Sequence, residues 1–167
     1  FEDVRVFSNY AIILKDLSKL DDALELINKS IKIFPKIAES YSILSDIFRI
    51  LGRFDEARLS LIQALKINPN EANYHLNLGI IYMQLKLLKE AKETFQKAIN
   101  INPGLKEAHI NMATIFIDFN DLSKAETSIR KAISINPECA ISYYNLSRIY
   151  FELGNQKEAE KAIKKAI

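Results

Sequence analysis

The only four prolines of the chain, Pro35, Pro69, Pro103 and Pro137, stand 34 residues apart. A fixed period of that length marks an array in which one supersecondary unit recurs and each copy packs on its neighbours. The words before the prolines recur as well: Ile67-Asn68-Pro69, Ile101-Asn102-Pro103 and Ile135-Asn136-Pro137, with Ile33-Phe34-Pro35 as the divergent member. Each reads as a helix end. Proline disfavours α geometry in the residue before it, and asparagine tolerates the left-handed conformation that often closes a helix.

With each proline placed at position 32, the units are 4–37, 38–71, 72–105, 106–139 and a shortened 140–167, and the other columns fall into line. Position 20 is Ala23, Ala57, Ala91, Ala125 and Ala159; position 27 is Ser30, Ala64, Ala98, Ala132 and Ala166. Position 8 is also small (Ala11, Ser45, Gly79, Ala113, Ser147), whereas position 7 (Tyr10, Leu44, Leu78, Met112, Leu146) and position 11 (Leu14, Phe48, Tyr82, Phe116, Tyr150) are bulky. Small residues let helix axes approach, and large ones facing them interdigitate at interior density. Apolar residues recur at helical spacing over two stretches per unit, broken by turns such as Leu51-Gly52-Arg53 and Leu153-Gly154-Asn155. The spacing predicts two antiparallel helices in every unit.

Composition sets the outer limits. Of 167 residues, 49% are hydrophobic and 26% charged, with a net charge of +2, which excludes wholesale disorder and a partner chosen by bulk charge alone. The single cysteine, Cys139, cannot form an internal disulfide, so packing must hold the fold and nothing in the redox chemistry points outside the cell. A cytoplasmic location is the expectation. No apolar run reaches the roughly 18 residues of a membrane helix. The chain opens on Phe1 and stops at Ile167 within an expected helix, so it reads as a piece of a longer protein.

Small residues at positions 8, 20 and 27, large or aromatic ones at 4 and 11, and the closing proline together resemble the tetratricopeptide repeat (TPR) family over essentially the whole chain. The family's tryptophan at position 4 is replaced by Phe7, Tyr41, His75, His109 and Tyr143. The resemblance implies an all-α fold, a right-handed superhelix (α-solenoid) of antiparallel helix pairs with four full repeats and a truncated fifth. The whole of 1–167 is then a single array. It also implies a non-catalytic module whose first helices line a concave groove that binds an extended peptide or partner segment. Groove positions in the family are 2, 5, 6, 9, 12 and 13 of each repeat.

Position 6 holds Asn9, Asn77, Asn111 and Asn145, interrupted by Ile43. A carboxamide carries a donor and an acceptor, so a row of them can pair with the main chain of an extended peptide of any sequence. The row resembles the asparagine ladder of the O-GlcNAc transferase repeat superhelix. The alternative is that these asparagines bond across neighbouring helices. Apolar residues at groove positions of the last three repeats are Leu76, Ile80, Met83, Ile110, Ile117, Ile141, Tyr144 and Phe151, either a recognition strip or a surface partly closed between first helices.

Charge argues against two functions. The groove positions hold four cations (Arg5, Lys15, Arg49, Arg148) and six anions (Asp16, Glu39, Asp46, Glu107, Asp118, Glu152), the wrong balance for a track along phosphates, so no nucleic-acid or membrane partner is expected. The two-carboxylate clamp of some TPR cochaperones needs lysines at positions 5 and 2 and arginine at 6, and none is present in those columns. Most lysines fall on second helices, some with glutamate at helical spacing, as in Glu93 and Lys97 or Glu160 and Lys164. They read as a solvated face, or else as a basic outer patch.

His75 and His109 invite a metal site, yet equivalent places in stacked pairs lie about 8 to 10 Å apart per adjacent helix, whereas zinc needs nitrogens about 2.0 to 2.1 Å from one ion. They are expected to pack, with no metal or cofactor bound. Cys139 has no histidine near it in register to act as base. Gly52, Gly79, Gly104 and Gly154 are each explained by a turn or a close helix crossing rather than a phosphate loop. The expected function is therefore protein binding through Asn9, Asn77, Asn111, Asn145, Leu76, Ile80, Met83, Ile110, Tyr144, Arg148 and Phe151. Two further readings stand beside it: a structural segment that self-associates through its uncapped C-terminal end, or a substrate-selecting array attached to a larger transferase.

Overall fold

The computed structural model describes residues 3–167. Among them, the first helix of each repeat is α1 (Val4–Asp16), α3 (Ala38–Ile50), α5 (Ala72–Gln84), α7 (Lys106–Asp118) and α9 (Ala140–Glu152). The second helices are α2 (Leu20–Ile33), α4 (Phe54–Ile67), α6 (Leu88–Ile101), α8 (Leu122–Ile135) and a shorter α10 (Gln156–Lys164). Every first helix starts at position 1 of the sequence register, and α2, α4, α6 and α8 each stop two residues before their proline. No helix of the described residues is long and apolar enough to cross a membrane.

The turn inside each hairpin is the same device five times. Position 15 is left-handed in every copy: Ser18, Gly52, Lys86, Asn120 and Gly154 have φ between 57° and 73°. The N–H of position 16 donates to the carbonyl of position 11 at 2.8 to 2.9 Å, as from Lys19 to Leu14 and from Asn155 to Tyr150, while the N–H of position 15 donates to position 12. This pairing satisfies the last carbonyls of the first helix and turns the chain back. Lys86 has a β-carbon where glycine is free of strain. Lys86→Gly is therefore expected to raise the unfolding free energy by up to about 1 kcal/mol, read by chemical denaturation.

The hinge between repeats works differently from the sequence expectation. Asn68 and Asn136 are extended, with φ of −130° and −135°, and not left-handed. The following proline excludes the compact conformations, and the asparagine acts through its side chain instead. Asn102 Oδ1 accepts from the Gly104 N–H at 3.0 Å and Asn136 Oδ1 from the Glu138 N–H at 3.0 Å, forming tight side-chain turns.

The helices divide into two compact units, one through Leu87 and one over Leu88–Ile167. In the first, α3 packs on α1 and α2 through a core of Ala11, Leu14, Ala23, Ile27, Ile43, Leu44 and Ile47. Ala57, Leu61 and Ala64 of α4 close on Leu78 and Ile81 of α5. In the second, α6 packs on α7, and Ala113, Ala125, Ile129 and Ala132 of α7 and α8 meet Leu146 and Ile149 of α9 and Ala162 of α10. The small columns thus lie at helix crossings. The one serine of column 27, Ser30, faces Ser40 of the next repeat at 3.5 Å, Oγ to Oγ, in a buried contact.

Candidate peptide-binding face

Position 4 fastens the second, third and fourth repeats to the proline hinge before them. The Tyr41 hydroxyl donates to the Pro35 carbonyl at 3.0 Å, and the Nε2–H of His75 and of His109 donates to the carbonyls of Pro69 and Pro103 at 2.9 and 3.0 Å. Each histidine is thus a ring packed at the hinge with one N–H donated to the chain. Among the described residues no three His, Cys, Asp or Glu side chains gather as a metal would require.

Position 6 places its residues on the first helices, where α1, α5, α7 and α9 carry Asn9, Asn77, Asn111 and Asn145. Asn9 is exposed, Asn77 and Asn111 are half-buried, and Asn145 is only 6% exposed. None of the four makes a side-chain hydrogen bond among the described residues. Asparagines elsewhere are used: Asn73 donates to Glu71, Asn100 accepts from Gln96, and Asn102 and Asn136 close turns. None of their carboxamide atoms is among the fully buried unpaired polar atoms, which are Ser8 Oγ, Ser142 Oγ and Arg58 Nε, so the four amides stay open to water or to a ligand. Ile43 interrupts the row because it belongs to the core between α1, α2 and α3.

The apolar strip is narrower than its sequence implies. Leu76 is buried and adds no binding surface. Its position-5 equivalent Ser8 is buried too, whereas Ser42 and Ile110 in the same column are half-buried. Ile80, Met83, Ile110 and Ile117 are half-buried, with Ile110 and Ile117 resting on the core of the second unit. On α9, Tyr144 is 51% and Phe151 68% exposed, and Ile141 is exposed as well. Tyr144, Arg148 and Phe151 line one side of an open cleft of about 550 Å³, closed on the other by Ala159 and Ile163 of α10.

Electrostatics separate one cation from the rest. Arg5 pairs with Asp3 at 2.8 Å, Arg49 with Asp46 at 3.6 Å and Lys15 with Asp16 at 3.9 Å. Arg148 has no carboxylate partner among the described residues. Within the second unit, α8, α9 and α10 enclose another cleft, of about 670 Å³, floored by Tyr143, Leu146 and Tyr150. Its cations are matched: Arg130 to Glu126 at 2.9 Å, Lys161 to Glu158 and Lys164 to Glu160 at 2.6 Å each, with Lys165 lying 5.4 Å from the centre of the Tyr143 ring. Burial and the Glu126 carboxylate push the Tyr150 phenol above its ordinary value, so it stays neutral. Lysines here behave as a solvated, paired face; the Glu93 and Lys97 pair suggested by spacing does not form. Cys139 stands at the start of α9, where the Ser142 side chain pulls its thiol below the ordinary value.

Models of the TPR repeat match residues 46–86, and models of the tetratricopeptide repeat match 72–105, 106–139 and 140–167, together more than half of the chain. The chain belongs to the TPR family. No curated protein sequence matches it. Its fold is shared with solved TPR structures. A crystal structure of MamA is 22% identical, with a TM-score of 0.83 over 98% of this chain and 89% of that one. YrrB, described as a TPR protein with an unusual peptide-binding site, is 22% identical, with a TM-score of 0.76 over 99% and 85%. PilF of Pseudomonas aeruginosa is 14% identical, with a TM-score of 0.91 over 98% and 74%. At these identities the likeness is one of fold: an all-α TPR solenoid, the scaffold of a protein-interaction module.

Proposed function

We propose that this TPR module captures an extended segment of a partner protein on its first helices, with main-chain groups of the segment paired to Asn111 and Asn145 in the second unit, and with Asn77 offering the same carboxamide in the first. The supporting observation is that these carboxamides, half-buried at Asn77 and Asn111 and nearly buried at Asn145, make no side-chain hydrogen bond within the described residues. An extended peptide offers one N–H and one C=O per residue, the complement of an amide's donor and acceptor. Ile80 and Met83 in the first unit, and Ile110 and Ile117 in the second, supply apolar contact beside the carboxamides of their own unit. Arg148, lacking a carboxylate of its own, favours a segment with an acidic side chain at the fifth repeat. The YrrB description, a TPR protein with a peptide-binding site, is in keeping with this reading.

Site-specific photocrosslinking tests the face. A photoreactive residue at Gln84 or Asp118, exposed at position 13 of α5 and α7, is expected to capture the partner segment. The same probe at Lys97 or Lys131 on the second helices should not. Crosslinks only from the second-helix sites would overturn the assignment.

A further inference from the structure

Cys139 is the only cysteine of the chain, so a thiol reaction on this protein is a reaction at one place. It is the residue from which α9 starts: Cys139 occupies the N-cap, with φ of −76° and ψ of 98°, and is half-buried. Its carbonyl already serves the helix, accepting from the Ser142 N–H at 3.0 Å, which leaves the side chain at the mouth of the first turn. A helix N-terminus carries N–H groups without helical partners and a partial positive charge, and both favour a sulfur anion over the thiol.

What sets this position apart is Ser142, one turn into the same helix. Its side chain has no exposed surface, and its Oγ is fully buried without a hydrogen-bond partner among the described residues. The corresponding serine of the second repeat, Ser40, meets Ser30 at 3.5 Å across the repeat junction, whereas the register places Ala132 there for Ser142. The Ser142 hydroxyl is close enough to the Cys139 sulfur to draw the thiol below its ordinary value, yet closes no hydrogen bond on it. Charge is the smaller influence: Lys106 at the start of α7 favours the anion, but Glu107 stands 3.4 Å from its amine and Glu138 precedes the cysteine. A buried donor without an acceptor is costly, and an oxygen added to the sulfur would supply the acceptor.

We propose that Cys139 is a reversible oxidation site at which a hydroperoxide converts the thiolate to a sulfenic acid, the new oxygen accepting from the Ser142 hydroxyl. A sulfur lone pair attacks one peroxide oxygen. The S–O bond forms as the O–O bond breaks, and the departing hydroxide or alkoxide takes a proton from solvent. Sulfur loses two electrons and the peroxide gains them. A small thiol reverses the step, first forming a mixed disulfide with release of water, then returning the Cys139 thiol by exchange. The reaction is independent of segment capture by the first-helix amides.

Hydrogen peroxide together with the sulfenic-acid trap dimedone, followed by intact mass, tests this on the full chain. The unaltered protein is expected to take up one dimedone, at a rate whose pH profile turns over below the roughly 8.5 of an unperturbed thiol. Peroxide followed by dithiothreitol, without the trap, should return the free thiol. Ser142→Ala installs the residue that Ala108 already provides at the same position of the fourth repeat, so the helices should persist by far-UV circular dichroism. It should move the turnover upward and slow adduct formation at neutral pH by about two- to tenfold, the worth of one hydrogen bond. No adduct, a turnover at or above that of a free thiol, or a Ser142→Ala profile coinciding with that of the unaltered chain would each overturn the proposal. Should Ser142→Ala lose helicity, the adduct and the turnover of the unaltered chain decide alone.

Discussion

Truncating Phe95 to alanine is expected to lower the unfolding free energy by about 3 to 5 kcal/mol. Phe95 is the largest side chain buried without residue, and it sits at position 24 of α6, in the column that also buries Ile27, Leu61 and Ile129. Removing the ring forfeits its transfer energy and leaves a cavity that the small residues around it, Ala91 and Ala98 on the same helix, cannot fill. Ile129→Ala, with the same burial, should cost about 2 to 5 kcal/mol. Ile163→Ala, in the same column but half-exposed at the end of the array, should cost only about 1 kcal/mol in the monomer. Urea unfolding followed by circular dichroism measures all three. Equal losses at Phe95 and Ile163 would mean that the repeat register does not decide which residues are interior.

Replacing Asn77, Asn111 and Asn145 together with alanine should weaken capture of a partner segment while leaving helicity intact. Each net hydrogen bond is worth about 0.5 to 1.5 kcal/mol, so three amount to about 1.5 to 4.5 kcal/mol, or roughly 10- to 2000-fold in Kd. Asn145 should account for the largest share, since it is the most enclosed of the four and a bond there is shielded from water. Asn136→Ala is the contrasting change. Its side chain closes the turn after α8, so its loss should lower stability and leave affinity untouched. Fluorescence anisotropy with a segment selected from a peptide library reads the affinities, and unchanged binding by the triple variant would remove the ladder.

Periodicity made the helices legible: the proline spacing and the alanine columns announce two helices in every 34-residue unit. What the sequence hid were features carried by side-chain geometry at positions of mixed composition. Left-handed geometry at position 15 is announced by Gly52 and Gly154, but Ser18, Lys86 and Asn120 adopt it because the hairpin imposes it, which no single-residue preference reveals. Asparagine before proline was read for its backbone tolerance, whereas its carboxamide forms the turn. His75 and His109 were expected to pack, and do, but their bond to the preceding proline carbonyl emerges only once the hinge is folded. Leu76 looked like groove surface because position 5 holds residues of every character, from Ser8 to Tyr144, and composition does not separate the buried members from the exposed ones.

The central claim is that the unpaired amides of the first helices are the working face. Titrating the isotope-labelled chain with a selected partner segment and following the side-chain NH₂ resonances of asparagine tests it most directly. The Asn77, Asn111 and Asn145 signals should shift and slow their exchange with water, while those of Asn102 and Asn136, already committed to turns, stay in place. Perturbations confined to second-helix residues such as Lys97 and Lys131, with the three first-helix amides unmoved, would contradict it.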